Sequence, residues 1–403
     1  MIQNERYVWE ILALTLGLLI VWNYWMPLIA STSPFTYSLG SGDFALFYRA
    51  AGLWLANQNP YMLNGATTNF VYPPSSLPLY GLFALMDFRP ASEMWALSYL
   101  LVFIVACSLL GYTLEADRKR IYVLAAILMF ITSYPVLYLI ELGQCDLLVA
   151  GVAILGLAFH RMGHRSVSAF SLSIATLLKG PAVLFLIYFA VFQRDVRYLA
   201  YFLVSTTSLV VASLLVVSVG LYSYYLTKVL PMLSTGASSG RFQVTMNGAQ
   251  SIPTLFTLAG FSYITPVVSI LGFIVFGIFS FWVGSRTSEP VVRGAIFGDG
   301  MFLMNVLMML LFIPRTESYS YVWVILPLAL LLSALVVEKP NPLFLVLICF
   351  SIFMFNCFNS LKLFGLQSLP IVQGPFETVG SLILTFALVV MYLKPTLAFD
   401  ALD

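Results

Sequence analysis

Charged residues are rare in this chain, so each one that interrupts an apolar stretch is a candidate for chemistry. Asp43 follows Gly40-Ser41-Gly42 and opens an amphipathic segment that runs to about Ala56 and carries Phe44, Phe47, Tyr48, Leu53 and Trp54. A carboxylate there can take the proton of an attacking hydroxyl; the plain alternative is an N-cap on free backbone N–H groups. Glu141-Leu142-Gly143-Gln144-Cys145-Asp146 ends an apolar run. Polar groups at such a point need partners, and Gln144 and Asp146 can bond sugar hydroxyls or hold a neighbouring loop. Lys179, in Lys179-Gly180-Pro181, lies deep in an apolar stretch and needs an anion. A phosphate would serve, with lysine as a point charge; so would an ion pair with Asp43, Glu141 or Asp146. Arg315 can fork onto phosphate oxygens, and Glu317 is a further carboxylate, with an Arg315–Glu317 ion pair as the alternative.

Around these stand groups suited to carbohydrate. Tyr61 and Tyr72, in Asn59-Pro60-Tyr61 and Tyr72-Pro73-Pro74, offer ring platforms for a sugar, although aromatics are also common at membrane interfaces. Tyr48 and Tyr319 join them as expected substrate contacts. The stretch 231–256 is rich in amides and hydroxyls, with Asn247 and Gln250 as expected contacts; any solvated loop has a similar make-up. Other chemistries are not signalled. There is no Walker loop, no Gly-x-Gly-x-x-Gly after a strand and no Asp-x-Asp pair, so no nucleotide-sugar or metal site is expected. His160 and His164 are four apart without an intervening Glu and read as orientation charge. Cys107, Cys145, Cys349 and Cys357 form no close pair and no disulfide framework.

The elements that must position these groups are membrane spans. Of 403 residues, 61% are hydrophobic and 9% charged, against about 25% charged in soluble domains. Lipid is therefore the solvent for much of the chain. The net charge of +2 is too small to suggest a nucleic-acid partner. A span takes roughly 20 apolar residues, and such segments lie at 8–30, 91–113, 120–140, 146–160, 197–219, 264–285, 292–313, 320–337, 341–360 and 376–394. The first is too long for a signal-peptide core and reads as a retained span. The stretch from Arg165 to Arg194 is too long for one span and short for two. Its Lys-Gly-Pro break predicts two short helices meeting near Lys179, in a place where protein or a wet cavity satisfies the backbone.

Orientation follows from basic residues in short loops. Arg6, Arg118, Lys119, Arg120, Arg161, Arg165, Arg194, Arg197, Arg286, Arg293, Lys339 and Lys394 share one face if the 166–193 pair returns to its starting side. That face is read as cytoplasmic. The long loops, 31–90 and 220–263, then lie outside, where function is expected. The chain reads as one domain over 1–403, with no internal repeat of the kind that builds many transporters.

The order of these pieces resembles glycosyltransferase family 87. It runs Gly42-Asp43-Phe44 with Tyr48, Asn59-Pro60-Tyr61, Tyr72-Pro73-Pro74, Gly143-Gln144, Lys179-Gly180-Pro181 and the polar stretch from Asn247 to Ser251. The resemblance spans about residues 40 to 325. It implies an all-α polytopic GT-C fold of about 10–12 transmembrane helices, with interfacial helices in a long first outside loop. It also implies transfer of mannose from a polyprenyl-phosphate sugar to a lipid or glycan acceptor, in a bacterial inner membrane. Asp43 looks like the family's general base, and Lys179 and Arg315 would lie near the lipid phosphate. No cofactor is called for, since protein cations can stabilise the departing phosphate. Two positions depart from the pattern: Asp146 stands where Asn is expected, and Tyr319 and Tyr321 stand where many relatives carry His. The rival readings are a polymerase or ligase using lipid-diphosphate sugars, a flippase or transporter, and a scaffold without chemistry. A flippase would need charges along several spans, and only Lys179 and Asp299 lie within them.

Overall fold

The computed structural model describes residues 42–63, 66–67, 70–234, 251–286, 295–314, 316–338, 344, 346–352, 354 and 376–393. The expected span at 8–30, part of that at 341–360, and the site residues Arg315, Asn247 and Gln250 lie outside them. In chain order the main helices are α1 (Asp43–Leu55), α2 (Leu77–Ala84), α3 (Phe88–Tyr112), α4 (Ala116–Thr132), α5 (Tyr134–Leu142), α6 (Asp146–Arg161), α7 (Arg165–Leu178), α8 (Val196–Leu214), α9 (Ile252–Leu258), α10 (Thr265–Ser285), α11 (Ala295–Phe312), α12 (Ile325–Glu338) and α13 (Phe376–Leu393). Short helical turns over 219–234 lie between α8 and α9. The first loop also holds a minimal antiparallel pair, Met62–Leu63 with Ala66–Thr67.

Among the described residues α3, α8 and α10 are long and apolar enough to cross a membrane. Their outer rows, such as Leu97, Leu101 and Ile104 on α3 and Ile274 and Ile278 on α10, are exposed. Continuous apolar surface of this kind is stable only against an apolar solvent, so the chain is an integral, polytopic, all-α membrane protein. The expected span at 120–140 is broken in two. Ser133 turns extended (φ −76°, ψ 120°) between α4 and α5. The cause is Pro135, which has no N–H to donate and whose ring would strike the carbonyl of Ile131 in a continuous helix. The span expected at 320–337 begins instead as a 3₁₀ turn, Ser318–Val324, before α12.

The stretch after Arg165 folds as the Lys-Gly-Pro break predicts. α7 runs to Leu178, Lys179 is extended (φ −148°, ψ 105°), and a 3₁₀ segment, Gly180–Phe185, continues into a π-helical one, Ile187–Phe192. Pro181 is four residues after Leu177 and cannot donate to its carbonyl. The Ser75 hydroxyl does so instead, at 2.8 Å, tying the first loop to the hairpin tip. The hairpin then returns to its starting side. His160 packs on Phe189 with ring centroids 5.0 Å apart, Ser168 and Tyr198 hydroxyls are 3.0 Å apart, and Arg165 pairs with Asp195 at 2.9 Å. Close packing of α6 on α7 depends on Gly156, where a Cβ would sit 3.2 Å from the Ser168 carbonyl oxygen; small residues are what bring helices this near in lipid.

The helices thus have two polar ends. α6 joins them over about 24 Å, at 1.5 Å per residue. Asp146 begins it and Arg161 ends it. At the Arg161 end Asp299, fully buried, takes Arg118 on Oδ2 at 2.5 Å and Arg161 on Oδ1. Arg194 lies over the Phe281 ring and Arg286 over Trp282. Most of the basic residues expected on one face and described here gather at this end.

Candidate active site

The opposite end is organised by the turn between α5 and α6. Gly143 takes a left-handed conformation (φ 70°) that ends α5, a position that favours glycine. A Cβ there would also lie 2.8 Å from the Phe44 Cβ. Glycine therefore lets this turn sit directly against the start of α1. The Gly143 carbonyl accepts the Trp95 indole N–H at 2.9 Å, which fixes the turn to α3.

That contact delivers Gln144 to Asp43. The Gln144 Nε2 donates to Asp43 Oδ2 at 2.7 Å, and its Oε1 accepts from the Tyr72 hydroxyl at 2.8 Å. Asp43 is the first residue of α1; the N-cap is Gly42, without any side-chain cap. The capping alternative for Asp43 is thus not realised. Its carboxylate is half-buried, and among the described residues Oδ1 accepts no hydrogen bond. Burial raises its pKa above the ordinary carboxylate value; the Gln144 hydrogen bond and the Lys179 charge pull it back, and Asp146 pushes it up.

One turn of sequence further on, Asp146 and Lys179 form the second part of the site. Lys179 Nζ meets Asp146 Oδ2 at 2.5 Å, and the Trp323 indole N–H donates to Asp146 Oδ1 at 2.9 Å. The ammonium also lies 5.5 Å from the Tyr319 ring centroid and 6.0 Å from that of Tyr72, within cation–π range. Glu317, partly exposed at the head of the 3₁₀ turn, is near enough to act on Lys179 electrostatically. Of the carboxylates considered for Lys179 whose side chains are described, Asp146 is the one it meets. Lysine carries three N–H donors, and among the described residues only Asp146 accepts from it.

The structure therefore gathers Asp43, Tyr72, Gln144, Asp146, Lys179, Glu317 and Tyr319 at one end. It sets Tyr48 and Tyr61 apart. The Tyr48 hydroxyl donates to the Met86 carbonyl at 2.7 Å, and that of Tyr61, buried at 1% exposure, donates to the Tyr72 carbonyl at 2.8 Å. The Tyr61 ring packs among Phe70, Tyr224 and Tyr225. The Tyr61 ring is not open as a sugar platform, Tyr48 is half-buried, and both hydroxyls hold the first loop in place. Sequence reasoning passed over Trp95 and Trp323. An indole N–H in an apolar run needs an acceptor, which was the available signal. It also took Arg118 and Arg161 as orientation charge alone, although Asp299 at membrane depth demanded a cation nearby.

Comparison with known proteins bears on what such a site does. The profile of glycosyltransferase family 87 matches residues 70–314, more than half of the chain. No curated protein matches the sequence. Among solved structures the chain is similar to the crystal structures of ArnT from Cupriavidus metallidurans in the apo state and bound to undecaprenyl phosphate. Each aligns with a TM-score of 0.46 at 14% identity, over 96% of this chain and 77% and 76% of the respective ArnT chains.

Proposed function

The chain belongs to glycosyltransferase family 87, and from that premise we propose that it transfers a hexose from a polyprenyl-phosphate sugar to a hydroxyl of a lipid or glycan acceptor, with inversion. It is a membrane glycosyltransferase; the donor class, the sugar and the residue roles are the proposal. Mannose is the sugar that the family resemblance implies. The observation that carries the reading is Asp43, a half-buried carboxylate with one oxygen held by Gln144 and the other unengaged among the described residues, in the same cluster as the ammonium of Lys179.

In the proposed reaction Asp43 Oδ1 takes the proton of the acceptor hydroxyl. The O–H electron pair forms the bond to the anomeric carbon, and the bond from that carbon to the phosphate oxygen breaks on the opposite face. The leaving phosphate keeps that electron pair and needs positive charge, which is where electrostatic catalysis acts. Lys179 supplies it through the N–H donors that Asp146 does not use; Arg315, which lies outside the described residues, is the second cation that the family resemblance implies. The raised pKa of Asp43 suits a base that must accept a proton.

The same geometry favours the non-cytoplasmic face. The basic end, with Arg118, Arg161, Arg165, Arg194 and Arg286, is remote from Asp43 along the length of α6, and basic loops stay inside. A lipid-linked donor is consistent with such a site because its phosphate travels at the membrane surface.

The test is transfer by purified protein in lipid nanodiscs, using a panel of polyprenyl-phosphate and polyprenyl-diphosphate sugars with a membrane lipid extract as acceptor, with and without chelator. Transfer from a monophosphate donor that survives chelation is the expected result. Transfer from diphosphate donors alone would overturn the reading in favour of a polymerase or ligase.

A further inference from the structure

Resting on the reading of Asp43 as the base, we propose that Tyr72 and Gln144 are positioning residues rather than substrate contacts: a Tyr72–Gln144–Asp43 relay holds Oδ2 and presents Oδ1 to the acceptor hydroxyl. Both side chains are buried, at 7% and 4% exposure, so little of either is available to a sugar. Their polar atoms are instead spent on one another.

The orientation of the Gln144 amide follows from its partners. Oε1 receives the Tyr72 hydroxyl at 2.8 Å and the Cys145 backbone N–H at 3.2 Å, with the Cys145 thiol as a weak third donor at 4.0 Å. The Cys145 N–H can only donate, so an amide nitrogen cannot take the place of Oε1; this sets Oε1 towards Cys145 and Nε2 towards the carboxylate, and the Tyr72 hydroxyl then adds its own donor to Oε1. The result is an N–H aimed at Oδ2 at 2.7 Å. A donor to a carboxylate stabilises its charged form, the form a base requires. The Cys145 N–H disfavours the other orientation, and the Tyr72 hydroxyl anchors Oε1 in this one. Flipped, the amide would turn its oxygen towards Asp43 and favour the protonated acid, which cannot act as a base.

Further contacts make the relay one rigid unit with the helix it serves. The Tyr61 hydroxyl holds the Tyr72 carbonyl at 2.8 Å. The Tyr72 ring meets Phe47 edge-on at 4.9 Å, and Phe47 lies one turn beyond Asp43 on α1. The left-handed Gly143 sets the start of α1 against the residue that precedes Gln144. Buried glutamine is expensive unless its hydrogen bonds are made, and here all the bonds of the amide that are described lead to, or secure, the bond with Asp43.

The experiment is the pH dependence of kcat for Tyr72→Phe, Gln144→Met and the double variant, in nanodiscs with polyprenyl-phosphate mannose as donor and a membrane lipid extract as acceptor, beside Asp43→Asn. Activity falls as pH falls through the pKa of the base. Gln144→Met removes the donor and is expected to move that acid limb up by about one pH unit, the size of a lost hydrogen bond to a charged group. Tyr72→Phe keeps the ring and removes an anchor from the amide oxygen, loosening the Nε2–Oδ2 bond; its limb moves the same way by less. In the Gln144→Met background, Tyr72→Phe moves it no further, because the hydroxyl acts through the amide. Lower kcat with an unmoved limb in both single variants, or additive shifts in the double, would overturn the relay while leaving the base in place. Full activity in Asp43→Asn would instead sink the reading of the base on which the relay rests.

Discussion

The two ends of this molecule each bury carboxylates beside cations, and they treat them differently. At the basic end Asp299 is fully buried and both oxygens are taken, one by Arg118 and one by Arg161. At the other end Asp43 has one oxygen held by a neutral amide, and Lys179 shares a single hydrogen bond with Asp146. A carboxylate with both oxygens engaged fixes helices; one with an oxygen to spare can meet a substrate. The same two ingredients therefore serve architecture at one end and chemistry at the other, and the difference lies in how completely the oxygens of Asp299 and of Asp43 are used.

The comparison breaks most visibly if Asp299 is removed. Asp299→Ala leaves two half-buried guanidinium groups without their carboxylate and is expected to cost about 3 kcal/mol of stability, read by thermal unfolding in detergent, while turnover per folded molecule stays near that of wild type. At the other end the pattern reverses. Lys179→Gln is expected to lower kcat/KM for the lipid-phosphate donor by about 100-fold, with a smaller change in melting temperature. Gly143→Ala sits between the two. Its Cβ would press on Phe44 in a left-handed backbone, so a stability loss of about 1–3 kcal/mol should come with a slower rate, measured by unfolding and transfer on the same preparation. The smallest effect is in the pH profile. Burial holds Asp43 above the ordinary carboxylate value, so the rate of wild type should rise with pH through a midpoint above about 3.9. Lys179→Gln, which removes an opposing positive charge, should move that midpoint higher still in the activity that remains.

Much of this architecture is legible before any coordinates. Apolar runs and basic loops give the polytopic class, and the Lys179-Gly180-Pro181 break gives a hairpin that returns to its starting side. The start of α1 at Asp43 and its end near Ala56 follow from Gly42 and the amphipathic pattern. The break at Ser133 was also signalled, by Pro135, but an apolar run masks a proline that falls within it. What sequence does not carry is the choice among partners. A lysine at membrane depth demands an anion, yet only packing decides that Asp146, 33 residues away, supplies it. The bonds from Trp323 to Asp146 and from Tyr72 to Gln144 join positions 177 and 72 residues apart, and no local pattern records them. The same holds for Arg118 and Arg161, whose basic character announces orientation and hides their second role with Asp299.

The central claim is that the chemistry belongs to Asp43, and the rate of sugar transfer by Asp43→Asn in nanodiscs, normalised to folded protein, tests it most directly. Asparagine keeps the shape and leaves an oxygen for Gln144, but it takes no proton. The account predicts a fall of about 10²–10⁴-fold with melting temperature unchanged; a rate within threefold of wild type, about 0.7 kcal/mol in barrier, would contradict it.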